Sequence, residues 1–98
     1  RDDEALEAAL FDAVANNAIS SRDMKDFLHR MNSAPRAPRR DAVRCEIEVA
    51  LRFIEAGSRV RAEVTGPQGR SVDLEVHSED RVFAVHVKRL QISPLPLG

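Results

Sequence analysis

Between Val72 and Leu90 the chain reads VDLEVHSEDRVFAVHVKRL, with Asp73 and Glu75 at alternate positions in the first run and His86 and Lys88 in the second. Alternation at period two belongs to β-strands, whose successive side chains point to opposite faces. Two strands joined by the turn SEDR would place all four polar side chains on one face, able to meet across the pair. Carboxylates beside a lysine can carry out phosphodiester chemistry. Hard divalent cations take oxygen ligands, and a bound metal offsets charge on the phosphate and lowers the pKa of water. Histidine suits transition metals better than magnesium. The same residue types also occur on the solvated face of any antiparallel sheet, where opposite charges on neighbouring strands add modest stability.

Three apolar alternations would build that sheet. Val60, Ala62 and Val64 alternate with Arg59, Arg61 and Glu63; Val72, Leu74 and Val76 with Asp73, Glu75 and His77; Phe83, Val85 and Val87 with Ala84, His86 and Lys88. The connections GPQG and SEDR are short, so the strands form an antiparallel meander. Ahead of it Asp41 can cap a helix to Ala56, with Val43, Ile47, Leu51 and Ile54 on one face and Gly57 as a stop. That helix covers the apolar face of the sheet. The tail ISPLPLG holds two prolines, which remove ladder donors, so the third strand is expected to end the sheet as an open edge.

The N-terminal third is helical in pattern. Leu6, Leu10, Ala13 and Val14 lie at helical spacing between Asp2 and Ala15, with acids in the first turn, where the helix dipole favours them. Asn16 and Asn17 interrupt. Ser20 followed three residues later by Asp23 has the form of a capping box for a second helix, whose apolar face is Met24, Phe27, Leu28 and Met31. The two helices form an antiparallel hairpin over residues 1–32. The stretch SAPRAPRR, residues 33–40, reads as a linker, and residues 41–98 as an α-β-β-β unit. The expected fold is therefore α+β: two N-terminal helices, then a helix and a three-stranded antiparallel meander.

A helix followed by three antiparallel strands, with an aspartate on the second strand and a lysine on the third, resembles the first half of the PD-(D/E)xK nuclease core. The resemblance covers Asp41 to Leu90. It implies that Asp73 binds a divalent metal, Mg²⁺ or Mn²⁺, that Lys88 positions or activates the attacking water, and that Glu48 or Glu46 supplies a helix acid. Where the family places an acid two residues before the lysine, this chain has His86, in HVK, and Glu75 on the neighbouring strand is the acid that could substitute. The family core also continues with a further helix and strand where this chain has its proline-bearing tail. The implied function is a nuclease-like module that binds nucleic acid with impaired catalysis or none.

Arginine supplies the complementary feature. Arg39 and Arg40 enter the third helix, while Arg59, Arg61 and Arg89 sit on the strands, and basic groups sharing one side of a domain hold phosphates such as those of DNA without sequence specificity. Residues 1–32 carry four basic and seven acidic side chains and residues 33–98 eleven and nine, a mild polarity within a net charge of -1. No Trp or Tyr is present to stack on bases. The alternative is a non-enzymatic domain that associates with a protein partner or a second copy through its sheet edge. Cys45, the one cysteine, lies near the apolar face of its helix and has no zinc-ligand spacing around it; His29 is expected on the surface. With no apolar run long enough to span a bilayer and no signal-peptide pattern, the expected location is the cytoplasm. The start at Arg1 without methionine suggests a domain of something longer.

Overall fold

In the computed structural model, residues 2–33, 37–65, 71–87 and 91–95 are described. Helix α1, Asp3–Ala15, begins at Asp2, whose carboxylate accepts the Ala5 N–H at 2.8 Å. It ends in a left-handed residue, Asn17 (φ 59°), with Ala18 N–H bonded to Ala13 C=O at 2.9 Å and Asn17 N–H to Val14 C=O at 3.0 Å. That double bond pattern satisfies carbonyls the helix would otherwise leave open. Helix α2, Ser21–Ser33, is capped by the Ser20 hydroxyl, which accepts the Asp23 N–H at 3.0 Å.

Helix α3, Ala37–Glu55, starts four residues earlier than the capping signal at Asp41 suggested. Pro38 falls in its first turn, where a missing N–H leaves no bond unmade, so the proline that reads as a breaker is compatible with a start. Arg39 and Arg40 are thereby helical and only residues 34–36 of the expected linker lie outside the described residues. Its other end repeats the α1 motif: Gly57 (φ 99°) is left-handed, Ser58 N–H bonds Phe53 C=O at 3.0 Å and Gly57 N–H bonds Ile54 C=O at 2.9 Å.

Leu6 and Leu10 of α1, Phe27 and Met31 of α2, and Ile47 and Leu51 of α3 belong to one buried cluster with Val60, Leu74 and Val76 of the sheet. The helical hairpin thus shares a single core with the rest of the chain. Arg30 reinforces the α2–α3 seam, reaching Asp26 at 3.0 Å and both carboxylate oxygens of Glu46 at 3.3 Å, with its guanidinium 5.1 Å from the Phe27 ring centre. A forked donor facing both oxygens of one acid fixes orientation as well as distance. At the other end of α3, Arg40 and Arg44 both bind Asp3 of α1, Arg44 Nε at 3.1 Å. Cys45 is exposed on α3 rather than near its apolar face, because the helix turns Ile47, Ala50 and Leu51 inward.

The sheet is an antiparallel meander of β1 (Arg59–Thr65), β2 (Ser71–Ser78), β3 (Arg81–His86) and β4 (Gln91–Leu95), in that order. The expected three strands are present, and the tail adds a fourth, so the third strand is not an open edge. Hydrogen-bond parity explains why the tail can pair despite Pro94. On the outer side of β1, Val60 N–H donates to Ala18 C=O at 2.8 Å and Ala62 N–H to the Asp23 carboxylate at 3.1 Å. Those two residues therefore turn their backbone groups away from their β2 partners Val76 and Leu74. In an antiparallel ladder bonded and non-bonded pairs alternate, so Val76 and Leu74 bond to Phe83 and Val85, and the β4 partners of these, Pro94 and Ile92, face outward. Pro94 sits where no donor is required.

Asp23 consequently does more than start a helix: its carboxylate covers the first edge of the sheet. No described helix is long and apolar enough to cross a membrane. Asp23→Ala, which removes the acceptor for Ala62 N–H, is expected to lower stability by about 1 to 2 kcal/mol in urea unfolding. It should also accelerate hydrogen exchange at Ala62 before any other β1 amide; unchanged exchange there would contradict the assignment.

Candidate functional site

Alternation along β2 and β3 places Asp73, Glu75 and His86 on the face of the sheet turned away from α3, as the sequence pattern implies, while Leu74, Val76 and Val85 face the core. Each carboxylate is already engaged. Asp73 Oδ2 accepts the Val87 N–H at 2.9 Å, prolonging the β2–β3 ladder with a side chain where β3 ends. The Glu75 side chain is only 13% exposed; its Oε1 lies 2.6 Å from His77 Nε2 and 3.4 Å from Arg61 Nη1. Arg61 is its direct cross-strand partner and His77 its neighbour two residues on, so the three share one face. His86 pairs with Gln91 at the end of β3 and is half-buried.

The helix acids lie elsewhere. Glu46 is held by Arg30 on the seam with α2. Glu48 belongs to α3, which packs on the apolar face, so the backbone of the sheet separates it from Asp73 and Glu75. Among the described residues no three His, Cys, Asp or Glu side chains gather closely enough to hold a metal ion. Lys88 and Arg89 lie outside the described residues.

The arginines separate into two groups. Arg39 and Arg40 occupy the first turn of α3, with Arg40 bound to Asp3, whereas Arg59 and Arg61 belong to β1, which begins past the other end of that helix, about 24 Å along its axis from Arg39. Arg59 and Arg61, with His77, Asn17 and Ser20, border a cleft of about 320 Å³ where the α1–α2 loop crosses the edge of β1. His77 was visible in the sequence only as one more outward position on β2.

A second feature lies on the helix side of the sheet. Val49 and Phe53 of α3 and Ala56 just past its end, at four- and three-residue steps, combine with Arg52, Val85 and Ile92 to line an apolar groove of about 390 Å³. Ile92 on β4 is 57% exposed. The apolar face expected for α3, Val43, Ile47, Leu51 and Ile54, leaves out the Val49 and Phe53 row, and its companion Ile92 lies in the tail expected to end outside the sheet. No family model, curated protein or solved structure matches the chain.

If Asp73 serves the ladder, Asp73→Ala lowers stability by about 1 to 2 kcal/mol in metal-free buffer and exposes the Val87 amide to exchange. A stability change appearing only when Mg²⁺ or Mn²⁺ is present would instead mark Asp73 as a metal ligand.

Proposed function

We propose that this domain is a non-enzymatic self-association module, in which β4 of one copy pairs antiparallel with β4 of another. The observation that carries the reading is the outward-facing backbone of Ile92 on the last strand of the sheet, beside the apolar groove of α3. A strand edge with free N–H and C=O groups accepts another strand, and an apolar side chain beside it supplies the burial that such a bond alone lacks. Pairing centred on Ile92 forms two reciprocal bonds between Ile92 residues. It leaves Pro94 to act only as an acceptor, so the proline selects the register rather than forbidding the pair. Paired residues share a face, so both Ile92 side chains fall on the helix side and close the two grooves together.

Charge supports a second copy as the occupant. The strand QISPL carries no charged residue, so two copies meet at the seam without like-charge repulsion. Arg52, on the groove wall, can lay its stem along the apolar surface and keep its charge in water. The exposed free thiol of Cys45 supports a reducing compartment, the cytoplasm.

A second reading is favoured by the cleft bordered by Arg59, Arg61 and His77: a nuclease-like domain that holds nucleic-acid phosphates without cleaving them. Its expected signature is DNA binding that weakens steeply with salt and is lost in Arg59→Glu with Arg61→Glu. Binding that survives that double change would exclude the cleft.

Sedimentation velocity is expected to show a monomer–dimer equilibrium that Ile92→Pro shifts at least about tenfold toward monomer, because the substitution removes an N–H used only between copies. The monomer's unfolding should barely change. A chain that stays monomeric up to about 1 mM would overturn self-association.

A further inference from the structure

The apolar face of the sheet is wider than the helix that covers it. Helix α3 lies chiefly over β1 and β2, and the same face continues onto β3 and β4 through Val85 and Ile92. The groove of about 390 Å³ is the step between helix and sheet, with Val49, Phe53 and Ala56 along one side and Val85 and Ile92 on the other. Its volume falls within the range of about 300 to 1,000 Å³ typical of small-molecule sites, which are mostly apolar with a few polar groups that fix orientation. Ile92, at 57% exposure, leaves apolar surface in water that a bound molecule would cover.

Charge enters the groove at one point. Arg52 is the one charged residue among the described residues that line it, and no acid stands beside it there. Exposed in the last turn of α3, it forms no ion pair or side-chain hydrogen bond with another described residue. A guanidinium is a planar fork that takes a carboxylate through two parallel bonds. An apolar trough with one such fork at its rim complements a molecule with an apolar tail and a single anionic head. From Val49 to Ala56 the wall runs about 10 Å, the length of an extended medium-chain tail.

We infer that the groove binds a monomeric amphipathic carboxylate of medium chain length, its head on Arg52 and its tail along Phe53, Val85 and Ile92. The site needs only one copy of the chain. Its consequence for assembly rests on the self-association reading: a second copy brings its own Ile92 over the same surface, so ligand and partner compete, and the carboxylate sets by mass action how much dimer forms.

The test is a titration of the ¹⁵N-labelled chain with hexanoate, octanoate, octanol and octylammonium in parallel, each to about 3 mM. Octanoate is expected to give saturable amide shifts confined to Val49, Phe53, Val85, Ile92 and their neighbours. Full burial of a methylene is worth about fourfold in affinity, and a groove open on one side gives about twofold, so octanoate should bind about fourfold tighter than hexanoate. It should exceed octylammonium by about fivefold or more. Arg52→Gln, at an exposed position, should lower octanoate to the level of octanol while leaving the spectrum of the free protein in place, and Arg52→Glu should make octylammonium the preferred ligand. Sedimentation velocity with octanoate should move the dimer toward monomer. Equal binding of octanol and octanoate, shifts spread outside the groove, or an Arg52→Gln variant that binds octanoate unchanged would each overturn the inference. Capture by phosphatidylglycerol vesicles with no response to octanoate would overturn it in favour of a lipid surface, and a dimer that binds octanoate without dissociating would overturn the competition. Octanoate binding by a chain that never dimerises sinks self-association alone, whereas a dimer with no octanoate response sinks this inference alone.

Discussion

Two backbone donors on the outer side of β1 decide how the helices and the sheet meet. Val60 N–H reaches the carbonyl of Ala18 and Ala62 N–H the carboxylate of Asp23, so the loop and first turn of the helical hairpin occupy the edge where another strand would otherwise pair. The consequence propagates, because each residue of an antiparallel strand turns its N–H and C=O to one side only. Once Val60 and Ala62 face the hairpin, the bonded and non-bonded pairs are set through β2 and β3, and Ile92 and Pro94 of β4 must face outward. The closed edge of this sheet and the edge that is open among the described residues are therefore one constraint seen from two ends.

The same placement explains the state of the polar face. Fixing α3 on the side of Leu74 and Val76 commits Asp73, Glu75 and His86 to the other side, away from every acid of α3. Without a helix carboxylate near them, the two strand acids serve local needs: Asp73 holds the end of β3, and Glu75 is shared between Arg61 and His77. A carboxylate that already accepts a backbone bond or an ion pair would have to surrender it to ligate a cation, and a surface metal would have to supply at least that much in return.

Much of this was legible along the chain because it is local. The Ser20 cap, the Gly57 stop and the period-two runs of the first three strands depend on residues within a few positions, and each stands in the structure. Asparagine at position 17 shows the same logic, adopting the left-handed turn its residue type tolerates. Of the candidate site, alternation located Asp73, Glu75 and His86 on one face. It gave no sign of what each would touch, since Val87 and Arg61 are fourteen residues from their carboxylate partners.

The sequence by itself determined three helices and the first three strands, the α+β order and the division of those strands into an apolar and a polar face, since propensity, capping and periodicity act between near neighbours. The tertiary structure alone decided that Pro38 begins a helix instead of ending a linker, that Cys45 faces solvent, that Glu48 and Asp73 stand on opposite sides of the sheet, and that a tail with Pro94 joins it as a fourth strand. Each depends on which groups a distant segment leaves unbonded or covers. Proline in the tail shows the difference most directly: its missing N–H is a defect only where a neighbour needs that donor, and the neighbour is chosen by hydrogen-bond parity that begins at Val60 and Ala62 in β1.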